Sequence, residues 1–322
     1  MQRLTVFAAA LALCAGSTAY AQDYAPTAET QDKAAKKLTI GDTAPPIDIA
    51  HWIKGDRIEE FETGKVYVVG FWATWCPPCR INMPHLSKLQ EQYTDYDVTF
   101  IGVSDEDLQT VVSFLFKEDK KDGKINNDRT RYTLTTDPDQ SVKNDYLRAA
   151  GQRGIPCAFI IGKDTKIEWI GNPFYQDGKL DAALEAVVKD TWDRDAFKTK
   201  FQRDRQFTAA MGAEDWATAV ELYWDSAGGL NQVAWKIVDD ANVKNRDFDV
   251  ALKAAKRATE LSEKKDAAIL DTLARVYYET GDVKSALKWQ RLAADSLTGN
   301  EPFADDVRKS LKKYQLEVDS EI

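Results

Sequence analysis

The run Lys65-Val66-Tyr67-Val68-Val69-Gly70-Phe71-Trp72 stops just short of Trp75-Cys76-Pro77-Pro78-Cys79, and this junction constrains the fold more than any other stretch. An unbroken row of β-branched and aromatic residues reads as a buried central strand. Pro77 and Pro78 fit the first turn of a helix, where a missing N–H costs nothing. Apolar positions at helical spacing follow from Met83 to Tyr93. Further on, Asp97 to Ser104 reads as a second buried strand and Leu108 to Phe116 as a second helix. Lys117 to Arg131 is charged and is expected to be a surface loop insertion. Cys157 to Ile161 and Lys166 to Ile170 read as strands around a Gly162-Lys163-Asp164 turn, and Leu180 to Val188 as a closing helix. Strands alternating with helices imply an α/β fold around a central sheet.

Two cysteines separated by two residues at a helix start form a candidate redox pair. The helix N-terminus offers unpaired N–H groups and the positive end of its dipole, and both stabilise a thiolate. Cys76 is expected to be the exposed, activated sulfur, with Cys79 shielded a turn further in. Attack by Cys76 on a disulfide gives a mixed disulfide that Cys79 resolves. Other uses of the pair fit poorly. A zinc site would need Cys157, His51 or His85 as further ligands, and none forms a second paired motif. A purely structural bond would close too short a loop to stabilise much. Covalent haem attachment needs a histidine where Arg80 stands. No metal and no cofactor is called for.

Far downstream, Gly154-Ile155-Pro156 opens the strand at Cys157. Together with Gly70 to Leu86 (GFWATWCPPCRINMPHL) and the opening Ile40-Gly41-Asp42-Thr43-Ala44-Pro45, it resembles the thioredoxin superfamily, most closely its TlpA-like exported branch. The resemblance spans about Leu38 to Lys189. It implies a thioredoxin-like sheet, thiol–disulfide exchange, and a cis-proline at Pro156 that faces Cys76 and aligns substrate backbone. Trp75, Ile155 and Pro156 are then the expected substrate contacts, while Trp72 is expected in the core. Two departures stand out. Gly70 replaces the buried aspartate of thioredoxins, and Asn82 replaces the glutamate common in the TlpA-like branch. A peroxidase of the peroxiredoxin type would need proline at Val69 and threonine at Ala73. Neither histidine has an evident role. Cys157 faces either the active-site groove or the packed side of the sheet, because side chains alternate along a strand.

Past Asp190 the strand pattern stops, and Ala, Leu, Lys and Glu recur with helical period. Leu270, Leu273, Ala274, Tyr277, Gly281-Asp282, Ala286 and Ala293 follow the spacing of one tetratricopeptide repeat. Thirty-five residues earlier stand Trp235, Val238, Arg246-Asp247, Ala251 and Ala258, and a weaker echo holds Glu214-Asp215, Ala219 and Tyr223. The fold class expected is an α/β thioredoxin-like domain over 38–190, followed by an all-α tetratricopeptide-like helical domain over 191–322.

Residues 1–21 read as a secretory signal peptide. Arg3 precedes an apolar run from Leu4 to Cys14, and Ala19-Tyr20-Ala21 offers small residues for cleavage. That run is too short for a bilayer, which needs about 20 residues, so no stable membrane span is expected. Leu11-Ala12-Leu13 argues against lipoprotein processing at Cys14. Residues 22–37 read as a flexible leader. A net charge of −9, from 43 Lys+Arg against 52 Asp+Glu, argues against nucleic-acid binding. The expectation is an exported, periplasmic oxidoreductase that exchanges disulfides with protein substrates and docks an unknown protein on its helical half. The alternative is a non-catalytic interaction or scaffold protein using the helical repeats, with the thioredoxin-like half as a redox sensor.

Overall fold

The computed structural model describes residues 37–174 and 178–320. The expected signal peptide, and the leader up to residue 36, lie outside the described residues. Among these, the strands are β1 (His51–Lys54), β2 (Val66–Phe71), β3 (Val98–Ser104), β4 (Thr133–Thr136), β5 (Cys157–Ile161) and β6 (Ile167–Gly171). They form one sheet in the order β1-β4-β3-β2-β5-β6. β2, β3 and β4 are parallel; β5 runs antiparallel to β2, β6 to β5, and β1 to β4. The helices of this part are α1 (Pro77–Tyr93), α2 (Leu108–Leu115), α3 (Asn126–Arg129), α4 (Ser141–Lys143, continuing as a π turn over Asn144–Arg148) and α5 (Lys179–Val188). The short strands β1 and β4 escape the sequence pattern. β4 is Thr-Leu-Thr-Thr, buried throughout, and two of its hydroxyls find backbone carbonyls on or just past β3, Thr135 Oγ1 donating to Gly102 O at 3.0 Å and Thr136 Oγ1 to Glu106 O.

The pleat sorts the strands into two cores. Val66, Val68, Phe100, Ala158 and Ile160 face α1, α2 and α5. Tyr67, Val69, Phe71, Ile101, Cys157, Phe159 and Ile161 face the other way, toward Leu38, Ile40, Tyr146 and Leu147. Each fully buried side chain of this size contributes about 1.5–3 kcal/mol. Residues 38–44 also cover the sheet edge, with Gly41 N donating to Ile167 O and Ile167 N to Asp42 O.

The charged stretch Lys117 to Arg131 is more than a surface loop, which corrects the sequence expectation. It holds α3 and a buried ion pair between Arg129 Nη1 and Asp119 Oδ2 at 2.9 Å. Ser87 Oγ on α1 donates to Arg129 O and accepts from Arg131 N, both at 2.8 Å. The Lys121 backbone N–H, with Arg129 and Arg80 behind it, holds the Asp119 carboxyl below its usual range. Charge composition misleads here because two of the charges, Asp119 and Arg129, are buried and pair with each other.

The rest is helical: α6 (Arg194–Ala213), α7 (Trp216–Leu222), α8 (Ala227–Asp239), α9 (Phe248–Leu261), α10 (Ala267–Glu279), α11 (Val283–Asp295) and α12 (Ala304–Ser320). The aspartates of the recurring turns are helix caps. Asp215, Asp247 and Asp282 accept from the N–H groups of Thr218, Val250 and Ser285, each worth about 1 kcal/mol. Ala251, Ala258, Ala286 and Ala293 are fully buried where neighbouring helices meet. Trp235 breaks the register: it is 40% exposed, whereas its counterpart Leu270 is 0% exposed.

α6 joins the two parts. Phe197 and Phe201, in its first turns, pack on the sheet core that holds Phe159. Arg194 Nε donates to Glu168 Oε2 at 2.7 Å, and its Nη2 reaches both Asp164 oxygens at 2.8 Å. The core of the sheet therefore continues past Asp190.

Candidate active site

β2 ends against the sheet's carboxyl edge, and the chain crosses Trp72 to Trp75 before turning into α1. Cys76 is the N-cap of that helix, with φ −90° and ψ 100°, and Pro77 and Pro78 occupy its first positions. The Cys79 N–H donates to Cys76 Sγ at 3.3 Å, and Arg80 N donates to Cys76 O at 3.1 Å. Cys76 and Cys79 are joined, with an S–S distance of 1.99 Å and Cα atoms 5.3 Å apart. After reduction the same N–H and helix dipole would meet a thiolate on Cys76, the arrangement that depresses a cysteine pKa. One expectation is overturned: Cys76 is not exposed. It is 2% exposed, close to the 3% of Cys79, because its sulfur folds back over the first turn and bonds to Cys79.

The expected substrate contacts fall around this bond. Trp75, beside Cys76, is 67% exposed. The Ile155–Pro156 peptide is cis. Trp75 and Ile155 line one groove of about 440 Å³. Pro156 and Cys79 line a separate cavity of about 20 Å³, together with Gly70, Trp72, Asn82 and Pro173. Its size is that of about one water molecule. A Cβ on Gly70 would come no nearer than 3.9 Å to Ile101 O, so glycine here leaves space behind the resolving sulfur. Asn82, 1% exposed, is taken up in structure: its Nδ2 donates to Pro173 O at 2.9 Å. Trp72 is buried as expected, although its Nε1 has no hydrogen-bond partner.

Sequence reading missed Glu106. Its carboxylate accepts from Thr74 N at 2.7 Å and from Thr74 Oγ1 at 2.6 Å, and from Ser104 Oγ at 3.0 Å. It thereby holds the loop that delivers Cys76. A signal was available. β2 and β3 are parallel neighbours, so the residues just after each strand meet at one edge of the sheet, where functional loops of such sheets gather.

Other candidates are not brought together. Cys157 is opposite Phe71 in the β2–β5 register and lies in the core on the far side of the sheet from Cys76 and Cys79. Burial pushes its thiol up to about 12. His85 Nε2 lies 2.9 Å from Asp181 Oδ1, linking α1 to α5, and His51 is exposed on β1. Among the described residues no group of three or more His, Cys, Asp or Glu side chains could hold a metal ion.

Comparison with known proteins adds the following. Residues 40–170 match the AhpC/TSA family. Protein FixW of Rhizobium leguminosarum is 30% identical over 159 residues, covering 49% of this chain and 70% of that protein. The thiol-disulfide oxidoreductase ResA of Bacillus anthracis is 26% identical over 133 residues, covering 41% of this chain and 69% of that one. Among solved structures, a putative thiol:disulfide interchange protein DsbE from Chlorobium tepidum is 23% identical, with a TM-score of 0.37. That match covers 47% of this chain and 99% of the other.

Proposed function

We propose, from the premise that this chain belongs to the thioredoxin-like AhpC/TSA family, that it is a thiol–disulfide oxidoreductase acting through Cys76 and Cys79. The Cys76 thiolate attacks one sulfur of a substrate disulfide; a mixed disulfide forms, and the first substrate thiolate leaves and takes up a proton. Cys79 then loses its proton and attacks Cys76 Sγ, releasing the second substrate thiolate. Two electrons pass to the substrate, and the Cys76–Cys79 bond remains; the reverse sequence oxidises a dithiol. Trp75, Ile155 and Pro156 hold the substrate beside the sulfurs.

The observation that carries this reading is the Cys76–Cys79 bond at the start of α1, with the Cys79 N–H on Cys76 Sγ. The substrates are protein thiols and disulfides, a reading supported by the similarity to the thiol-disulfide oxidoreductase ResA. The apolar run Leu4 to Cys14 and Ala19-Tyr20-Ala21 support export to the periplasm. Among the described residues no helix is long and apolar enough to cross a membrane. The catalytic domain is 38–190, completed by the first turns of α6 packed on its core, and the remainder of 191–322 is a tetratricopeptide-like domain that docks a protein partner. Insulin reduction with dithiothreitol tests the reading. The parent protein is expected to speed the turbidity rise and Cys76→Ser to give the uncatalysed rate; equal rates would favour a scaffold role instead.

A further inference from the structure

We propose that the groove beside the Cys76–Cys79 bond selects polypeptide disulfides flanked by acidic side chains, with Arg148 and Arg153 as the recognising cations and Arg205 adding positive charge from outside the groove at Gly151. The inference rests on the exchange reading above and adds the substrate's chemistry to it. The groove has an apolar floor of Phe71, Trp72 and Val103, and it opens between Trp75 and the segment leading to Pro156. Such a floor accepts side chains of an extended segment whose cysteine reaches Cys76.

The charges around it are unequally satisfied. Of its two carboxylates, buried Asp137 accepts only from the neutral donors Ser141 Oγ and Val142 N, and Asp105 has a charged partner in Lys143. The arginines have no such partner. Arg148 donates only to neutral oxygens, Asn144 Oδ1 at 2.6 Å and Gln140 Oε1 at 2.9 Å. Arg153 is exposed, and among the described residues no carboxylate pairs with it or with Arg205. Arg205 comes from α6, outside the sheet. It reaches the same loop because Gly151, at φ +66°, has no side chain; a Cβ there would lie 2.9 Å from Arg205 Nη2. On the same helix Arg194 pairs with Asp164 and Glu168, whereas Arg205 lies over the Phe201 ring. Two guanidinium groups without carboxylates in one groove wall, Arg148 and Arg153, match a substrate that supplies them.

This local charge opposes the chain as a whole. A net charge of −9 would, by its long-range field, favour a basic substrate. A preference for acidic substrates would therefore come from the groove.

The test uses the full chain and two disulfide-bridged peptides of equal length. One carries Glu on both sides of each bridged cysteine, the other Lys. Reduction of each is followed as kcat/KM at low salt and at about 0.5 M salt, where the Debye length falls to a few ångströms. The Glu peptide is expected to be preferred roughly three- to tenfold at low salt, the range for a few exposed charge pairs. High salt is expected to shrink that preference, Arg153→Glu and Arg148→Glu each to lower it, and Arg153→Lys to keep most of it. Equal rates, a preference for the Lys peptide, or an unchanged ratio in Arg153→Glu would overturn the groove assignment alone. Turnover of neither peptide by the parent protein would overturn the exchange reading itself, and this inference with it.

Discussion

Cys79 and Cys157 are each 3% exposed, and they lie on opposite faces of one sheet. On the near face, Cys79 sits in the first turn of α1, bonded to a sulfur that a backbone N–H already addresses. On the far face, Cys157 is packed in an apolar core with Phe71 and Phe159, and burial outweighs the Ala158 N–H in setting its thiol. Equal burial thus accompanies unequal chemistry. What differs is the backbone: the near face receives the carboxyl ends of parallel strands and a helix N-terminus, whereas the far face is a packed interior closed by residues 38–44 and the first turns of α6.

The largest expected effect separates stability from chemistry. Arg194→Ala leaves Glu168, 7% exposed, without its cation at the joint between α6 and β6. Breaking such a pair from one side is expected to cost roughly 2–4 kcal/mol, discounted for the half-exposed arginine. Urea unfolding measures it. The exchange rate of the still-folded protein on a small neutral disulfide is expected to stay within about twofold, since the change lies at the β6 edge of the sheet and not at the redox pair. A large rate loss would mean that edge and the redox pair are coupled.

Glu106→Gln acts on the near face. Replacing the carboxylate weakens two charge-assisted hydrogen bonds to Thr74 and is expected to cost about 1 kcal/mol of stability. Insulin reduction is expected to slow roughly three- to tenfold as the Cys76 loop loosens. Normal turnover would remove Glu106 from the account as a positioning residue.

The smallest effect belongs to Cys157→Ala. Losing one buried sulfur is expected to cost about 1 kcal/mol and to leave turnover unchanged. In the parent protein, a thiol pKa of about 12 keeps Cys157 protonated to well above pH 9, so a folded chain resists its alkylation throughout that range. Non-reducing peptide maps are expected to show Cys157 free in every oxidised sample.

Much of this contrast was legible in the sequence, for physical reasons that differ by element. β2, β3 and β5 are buried on both faces and announce themselves as apolar runs, and α1 is marked by Pro77 and Pro78. The helix caps Asp215, Asp247 and Asp282 were visible as recurring turns. The side chosen by Cys157 was not legible, because both faces of β5 are apolar and only its pairing with β2 fixes the phase. Glu106 was hidden because its partner, Thr74, stands 32 residues away. The burial of Cys76 depends on a sulfur folding back over its own helix turn, which spacing cannot reveal. Asp119 and Arg129 looked like surface charge because their compensation is a contact in space.

The most direct test of the central claim, that backbone setting rather than burial makes one cysteine reactive, is timed iodoacetamide labelling of the fully reduced chain near neutral pH, mapped by peptide mass. The account predicts rapid modification at Cys76, slow modification at Cys79, and none at Cys157 while the chain stays folded. Faster labelling at Cys79 or at Cys157 than at Cys76 would contradict it.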